Sequence, residues 1–354
     1  MPKPRSDDMV PDMSCYPYAW KDCSNSGLTI SEFVAKYRPS MVQDDGTKPW
    51  IWVISGRGPP NEESGINKAV EEGSALLEEV TEKMKKIQND PTIPVRANKK
   101  KGTKSKKELR EAEQAQATEK LKAISTRSGF VSGKWLVFAP AERIDAIWTA
   151  VAMSLVSGPL SATVAFSAKV ATTPKPEMPN YQHVICIYMP NVYDKNAVID
   201  VYKVLLRSHG LSTNGVKPNL YTHIGLDSKH PSGIPSTASQ ASVWKSTTVL
   251  PDTEIKRLRD AYFEEMNAAK ARESDVGKSN AEATMVAGSD MPTTPKLASK
   301  SQMPLKLKRK AGWRNPFASD SDDNSPSKAA ADKGNRSLNS REEDDEPRPK
   351  KICK

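Results

Sequence analysis

"KPWIWVISGRGPP", Lys48–Pro60, decides how this chain is read. Tryptophan is scarce, 7 in 354 residues, and two of them stand here two residues apart. "WIWVI" has the aromatic and β-branched content of a strand. Residues two apart in a strand point the same way, so Trp50 and Trp52 share one face and Ile51 and Val53 the other. Each indole buries a large apolar area, contributing a few kcal/mol at roughly 25 cal/mol per Å². Two readings stay open: the rings are sheet core, or they form a platform for a planar ligand. Gly56-Arg57-Gly58 adds one guanidinium on a loop at the strand exit, a weak signal for an anion.

Working outward, Thr29 followed by Glu32 is a capping-box spacing, and Phe33 and Tyr37 lie four apart, so a short helix is expected over 28–38. "DDGT" at 44–47 is a turn. Downstream, "SGKWLVFAP" predicts a strand at Lys134–Phe138. Ile144, Ile147, Trp148, Val151 and Leu155 fall on one helical face that Gly158 ends. In "LSATVAFSAKV" the alternation predicts a strand with Leu160, Ala162, Val164, Phe166 and Ala168 on one side. "HVICIYM", 183–189, is a continuous apolar run and predicts a strand covered on both faces. Asp194 is positioned to cap a helix with the stripe Val198, Val201, Tyr202 and Leu205, ending at Gly210. "LYTHIGL" (220–226) and "ASVWKS" (241–246) are expected to be further strands, and 254–272 a helix. Strands that follow one another through loops favour antiparallel pairing, so the class is α+β: one sheet with helices packed on one face.

Residues 61–127 break this pattern. They contain no Phe, Tyr or Trp. Ile66, Val70, Gly73, Leu77, Val80, Met84 and Ile87 form a heptad-like stripe on a Glu-rich helix. The stripe either lies on the protein's own core or binds a partner helix, and Gly73 weakens it. Asp90-Pro91 ends that helix. Seven basic residues and no acid follow between Arg96 and Lys107, then a second helical stretch to about Ile124.

Composition divides the chain into an irregular arm (1–27), a folded domain (28–272) with the charged helical insert at 61–127, and a tail (273–354). The tail is Ser-, Ala-, Lys- and Asp-rich and cannot bury enough apolar surface to offset ordering entropy, so disorder is expected there. The net charge of +10 suits RNA, DNA or an acidic surface as partner. The four cysteines, Cys15, Cys23, Cys186 and Cys353, form no C-x-x-C, so no zinc or redox motif is present, and no metal or cofactor is expected. Residues 1–30 lack the apolar core of a signal peptide, and no apolar run is long enough for a membrane span. A cytoplasmic or nuclear setting, with no membrane partner, is the expectation.

No P-loop or G-x-S-x-G elbow occurs, and the four histidines carry no supporting motif, so no enzymatic role is assigned. Cys186 with His223 is a conceivable nucleophile–base pair, although "VICIYM" reads Cys186 as a small core residue. His209, at a helix end, reads as an imidazolium facing the negative end of the dipole. Asp227 and His230 lack metal-site spacing. In the tail, Lys306, Lys308, Arg309 and Lys310, and then Arg348, Lys350 and Lys351, resemble nuclear-import signals. Ser319 and Ser321 sit among Asp320, Asp322 and Asp323, and Thr294 and Ser325 precede prolines; phosphate at these places would mask the basic runs.

Together, "KPWIWV", "GKWLVF", "ERIDAIWTAV", "SAKV", "VICIYM" and "LLRSHGL" resemble a eukaryotic family, a domain of unknown function that includes the basophilic leukaemia expressed protein. Its fold is similar to the cap-binding translation initiation factor of the four-E type. Over roughly 48–246 the resemblance implies a strongly curved antiparallel sheet with helices on its convex back. Cap binders sandwich a cationic methylated guanine between two aromatic rings, read its edge with an acid and hold the phosphates with basic side chains. Here the loop after Val53 carries no aromatic before Gly129. Phe130 is the aromatic nearest the second stacking position, and Val131 follows it instead of an acid. Lys169 matches a family lysine, and Ser167 stands where the cap binder has arginine. The resemblance therefore implies the scaffold without the cap sandwich. The functional expectation is a non-enzymatic module that binds RNA or a nucleotide on the concave face, with Trp50, Trp52, Arg57, Phe130, Lys169, Tyr221, Trp244 and Lys245 as candidate ligand residues. The alternative is a protein-interaction scaffold using the convex helices and the 66–87 helix.

Overall fold

The computed structural model describes residues 16–22, 27–57, 63–97, 102–175, 178–213, 215–236 and 249–283. All belong to one unit of the chain, Met1–Lys296. In chain order the elements are β1 (Ala19–Lys21), α1 (Ile30–Lys36), β2 (Trp50–Ile54), α2 (Glu63–Asn89), α3 (Lys106–Ser128), β3 (Gly133–Pro140), α4 (Ala141–Ser157), a 3-10 turn (Pro159–Ala162), β4 (Ser167–Ala171), β5 (Gln182–Met189), α5 (Lys195–His209), β6 (Gly215–Pro218), α6 (Asn219–His223) and α7 (Asp252–Ala283). The class is α+β, as expected.

The six strands form one sheet in the order β1-β2-β4-β5-β3-β6. Both tryptophan-bearing segments, 50–54 and 133–140, therefore belong to it, with β4 and β5 between them. Every pairing is antiparallel except β1 with β2, which is parallel. The expectation of a wholly antiparallel sheet is corrected at this edge. β1 also lies inside the arm read as irregular. What holds it is Trp20, buried on the helix side of the sheet, whose Nε1 donates to the Leu28 carbonyl at 3.0 Å. The chain then turns through α1, where Thr29 and Glu32 make the expected capping box, and re-enters the sheet in the same direction.

Strand alternation sorts the side chains. Ile51, Val53, Trp135, Val137, Ala168, Val170, Ile185, Ile187 and Met189 face one way, into a core closed by α1, α4, α5 and Leu258 of α7. Trp135 stacks on Tyr202 of α5 with centroids 4.8 Å apart. α5 begins and ends where the sequence marks it: Asp194 accepts from the Asn196 and Ala197 amides, and Gly210 takes the left-handed conformation at φ 63°.

Three expectations are corrected. The strand read over 160–169 starts only at Ser167. Pro159–Ala162 is a 3-10 turn, favoured by Pro159 and by the Ser154 hydroxyl, which accepts from the Leu160 amide at 3.0 Å. Leu160 and Ala168 reach the helix-side core from different backbone geometries, and Phe166 packs on the opposite face. "LYTHIGL" is not a strand but α6 and its exit: Pro218 precedes the helix and Gly225, φ 72°, follows it, the usual asymmetry of proline before and glycine after a helix. Finally, α2 and α3 are not on the sheet's helix-bearing face. They form a hairpin around a separate apolar cluster in which Ala69, Leu77, Val80, Met84, Leu121 and Ile124 pack with Phe130, Leu220 and Tyr221. The 66–87 stripe is thus internal packing. Gly73 belongs to it because a Cβ there would lie 3.3 Å from methyl carbons of Leu220 and Ile224, so α6 rests on bare backbone.

The expected strand at 241–246 and the tail from 284 onward lie outside the described residues.

Candidate functional site

The second face of the sheet carries the residues turned away from the helices. Cross-strand register builds it in two rows. Trp52 pairs with Lys169, Lys169 with Cys186 and Cys186 with Leu136, so four strands contribute one line of side chains. Beside it run Ser167, Tyr188, Lys134 and Lys217. Trp50 sits two residues from Trp52 on the same face, and Tyr16, Ala19, Phe166 and Val184 pack against the cluster.

Lys169 is its centre. Its Nζ lies 3.8 Å from the centroid of the Trp50 ring, 4.9 Å from that of Trp52 and 5.9 Å from that of Tyr188. Trp52 and Tyr188 stack on each other, centroids 5.6 Å apart and planes 21° from parallel. Lys134 Nζ lies 5.2 Å from the Tyr188 centroid. An ammonium over an indole is attracted by the ring quadrupole, more strongly where water is excluded. Water is excluded here: Lys169 has 0% exposure, Trp52 2%, Lys134 3% and Tyr188 5%, while Trp50 is half-buried. Tyr16 frames the edge, its hydroxyl donating to the Trp50 carbonyl at 2.6 Å, and burial pushes its pKa up to about 12.

Of the eight candidate ligand residues, the structure brings together Trp50, Trp52 and Lys169. Phe130 and Tyr221 belong to the α2–α3–α6 cluster, away from this face; Phe130 stands edge-on to His223 at 5.3 Å, and burial holds the Tyr221 phenol well above its usual range. Arg57 is exposed and donates to the Thr163 carbonyl at 3.1 Å. Trp244 and Lys245, like the import-type runs at Lys306–Lys310 and Arg348–Lys351, lie outside the described residues. Tyr188, Lys134 and Phe166 are additional members of the face. The first two were readable: period-two alternation in "GKWLVF" opposes Lys134 to Trp135, and in "VICIYM" it puts Tyr188 with Cys186. Phe166 was not, because the strand starts after it.

Burial lowers the pKa of His209 at the end of α5, and its Nε2 is 2.9 Å from the Ser154 hydroxyl. His183 is fully buried. Its Nδ1 is 2.8 Å from the Ala171 carbonyl, its Nε2 has no hydrogen-bond partner among the described residues, and burial lowers its pKa. Cys186 and His223 stand in different clusters. Asp227 and His230 cap a turn, with the Lys229 amide on Asp227 and the Ser232 hydroxyl 2.9 Å from His230. Among the described residues no group of three or more His, Cys, Asp or Glu is placed to hold a metal. No helix among them is long and apolar enough to cross a membrane.

Residues 3–223, more than half of the chain, match the family model described as basophilic leukemia-expressed protein Bles03. The chain belongs to the Bles03 family. The family match ends at the last residue of α6, so it takes in the whole sheet and the α2–α3 hairpin and leaves out α7. A comparison with curated proteins returned no match.

Proposed function

We propose that this protein is a non-enzymatic binding module, with a fold of the four-E cap-binder type, that takes a nucleobase and its phosphate on the Trp50–Trp52–Lys169–Tyr188 face, as a nucleotide or within single-stranded RNA. The observation that carries this is the convergence of three aromatic rings and two ammonium groups on the one sheet face that no helix covers among the described residues. Bases stack on indole faces without regard to sequence, and nearby ammonium groups neutralise phosphate. The same geometry speaks against a cap ligand. The π faces already hold the Lys169 cation, so a positively charged methylguanine meets like charge where a cap site offers only rings. Phosphate faces no such conflict. Because Lys169 and Trp52 are buried, a ligand gains them only after whatever excludes water there has moved. The scaffold alternative is weakened at its main feature, since the 66–87 stripe is occupied by this chain's own α3 and α6.

Tryptophan fluorescence of the full chain, titrated with an oligouridylate and with a methylated cap analogue at low and high salt, tests this. Quenching by the oligouridylate that weakens with salt and disappears in Lys169→Met is expected, with none from the cap analogue. An oligouridylate that leaves the emission unchanged throughout overturns it.

A further inference from the structure

The run of seven basic residues between Arg96 and Lys107 has no part in the site above. Arg96, Lys104, Lys106 and Lys107 of that run are described, and they sit at the turn between α2 and α3. The fold sets that turn at the far end of the hairpin. β2 leads into α2 and α3 leads into β3, and at that end the helices touch, since a Cβ on Gly65 would overlap the Ser128 carbonyl. At 1.5 Å per residue, the 27 residues of α2 carry the chain about 40 Å away from there. Beyond Ile87, and before Ala117 of α3, no described residue of the hairpin joins its apolar cluster. Polar bonds hold the turn instead. The Lys106 amide donates to the Pro94 carbonyl at 3.0 Å. The Lys106 ammonium and the Arg110 guanidinium donate to the backbone and side-chain oxygens of Gln88 at 2.7 and 2.9 Å.

Charge is sorted along the hairpin. Between Glu63 and Glu82, α2 carries six glutamates and one lysine. The described tip, 88–97 with 102–111, carries five cations, Arg96, Lys104, Lys106, Lys107 and Arg110, against Asp90, Glu108 and Glu111. Asp90 and Glu108 accept from the Thr92 and Ser105 amides, both at 2.8 Å, and Glu111 stands 4.0 Å from Lys107. Gln88, which holds Lys106 and Arg110, is neutral and leaves their charge in place. Arg96 and Lys104 are exposed and make no ion pair with a described residue. Each lies two residues from the Pro94–Lys106 hydrogen bond, so the chain keeps both within about 7 Å of it. Stable membrane attachment needs an apolar insert or a lipid besides charge, and among the described residues the tip exposes Val95 as its one large apolar side chain. A nucleic-acid strand needs only cations to meet its phosphates.

We propose that the hairpin tip is a second RNA contact, in which Arg96, Lys104 and Lys107, with Lys106 and Arg110 adding charge, take the phosphates of a strand without reading its bases. That the polyanion is RNA rests on the ligand reading above; the charge of the tip does not. The test is the full chain with Arg96→Gln, Lys104→Gln and Lys107→Gln together. These side chains are exposed and outside the apolar clusters, so the variant keeps the fold. Labelled oligouridylates of about 5 and about 30 nucleotides are titrated by fluorescence anisotropy over a series of salt concentrations. The long strand should bind the variant about ten-fold more weakly at low salt, and the slope of log affinity against log salt should shrink by about 2, three phosphates at roughly 0.7 each. The short strand should bind both chains alike. A long strand with unchanged affinity and slope overturns the tip, and if the short strand still quenches tryptophan emission in that case, the ligand reading stands alone. If the long strand binds Lys169→Met as well as the parent chain and is lost from the triple variant, the tip stands and the ligand reading falls. Parent chain that binds phosphatidylserine vesicles but no oligouridylate, and loses the vesicles in the triple variant, assigns the tip to a membrane and overturns the proposal.

Discussion

The two faces of this sheet are built from the same strands and differ in what they ask of their neighbours. On the helix side, Trp135, Ile185, Ile187 and Val170 meet aliphatic and aromatic groups from α1, α4 and α5. On the other side the same strands present Lys169, Lys134, Tyr188 and two indoles. Burial of the first set stabilises the fold directly. Burial of the second brings a desolvation cost that the surroundings of each ammonium, ring faces among them, have to offset. A chain selected for stability alone would fill both faces alike. The proposed binding role rests on that difference.

The largest expected effect breaks the helix side. Trp135→Ala removes a fully buried ring that stacks on Tyr202 and should lower the unfolding free energy in urea by about 3–5 kcal/mol. The hairpin offers a third term for the comparison. Leu77→Asp puts a carboxylate into the α2–α3 cluster and should cost roughly 3 kcal/mol, whereas the same change on an open partner-binding surface would stay within about 0.5 kcal/mol. Acid should weaken the helix side next. His183 and His209 have folded pKa values below their ordinary 6.5 because both are buried. Depressed values mean that the unfolded chain binds protons first, so their contribution is whole above pH 6.5 and is lost as pH falls from there through the folded values. The urea midpoint should drop across that window, and His183→Gln should flatten the drop. The smallest effect on stability belongs to the aromatic face: Lys169→Met, close in length and without charge, should stay within about 1 kcal/mol of the parent chain while abolishing oligouridylate quenching. A loss as large as that of Trp135→Ala would erase the distinction between the faces.

Much of this arrangement was legible in residue order. Capping signals placed α1 and α5 closely, and period-two alternation in "WIWVI" and "VICIYM" assigned the faces of β2 and β5 correctly. What escaped was tertiary. Leu160 fits a strand pattern as well as a 3-10 turn, and Pro159 with the Ser154 hydroxyl decides between them. "LYTHIGL" alternates well enough for a strand; Pro218 and Gly225 were the local signals for α6, and the contact with Gly73 is what uses it. β1 has three residues, too short for periodicity to register, and depends on Trp20. The site was half readable for the same reason. Trp50, Trp52 and Lys169 share a face through register that alternation implies. Phe130 and Tyr221 look like platform aromatics in the sequence, and the fold spends them on the hairpin.

The strand order also has a consequence for how the chain is made. β2 is complete at Ile54, yet its antiparallel partner begins at Ser167, more than a hundred residues later. At roughly 5–20 residues per second, translation leaves that tryptophan-rich strand waiting on the order of 5–20 s outside the ribosome before its neighbour exists. Nascent chains stalled short of Ser167 should be the ones that chaperones hold.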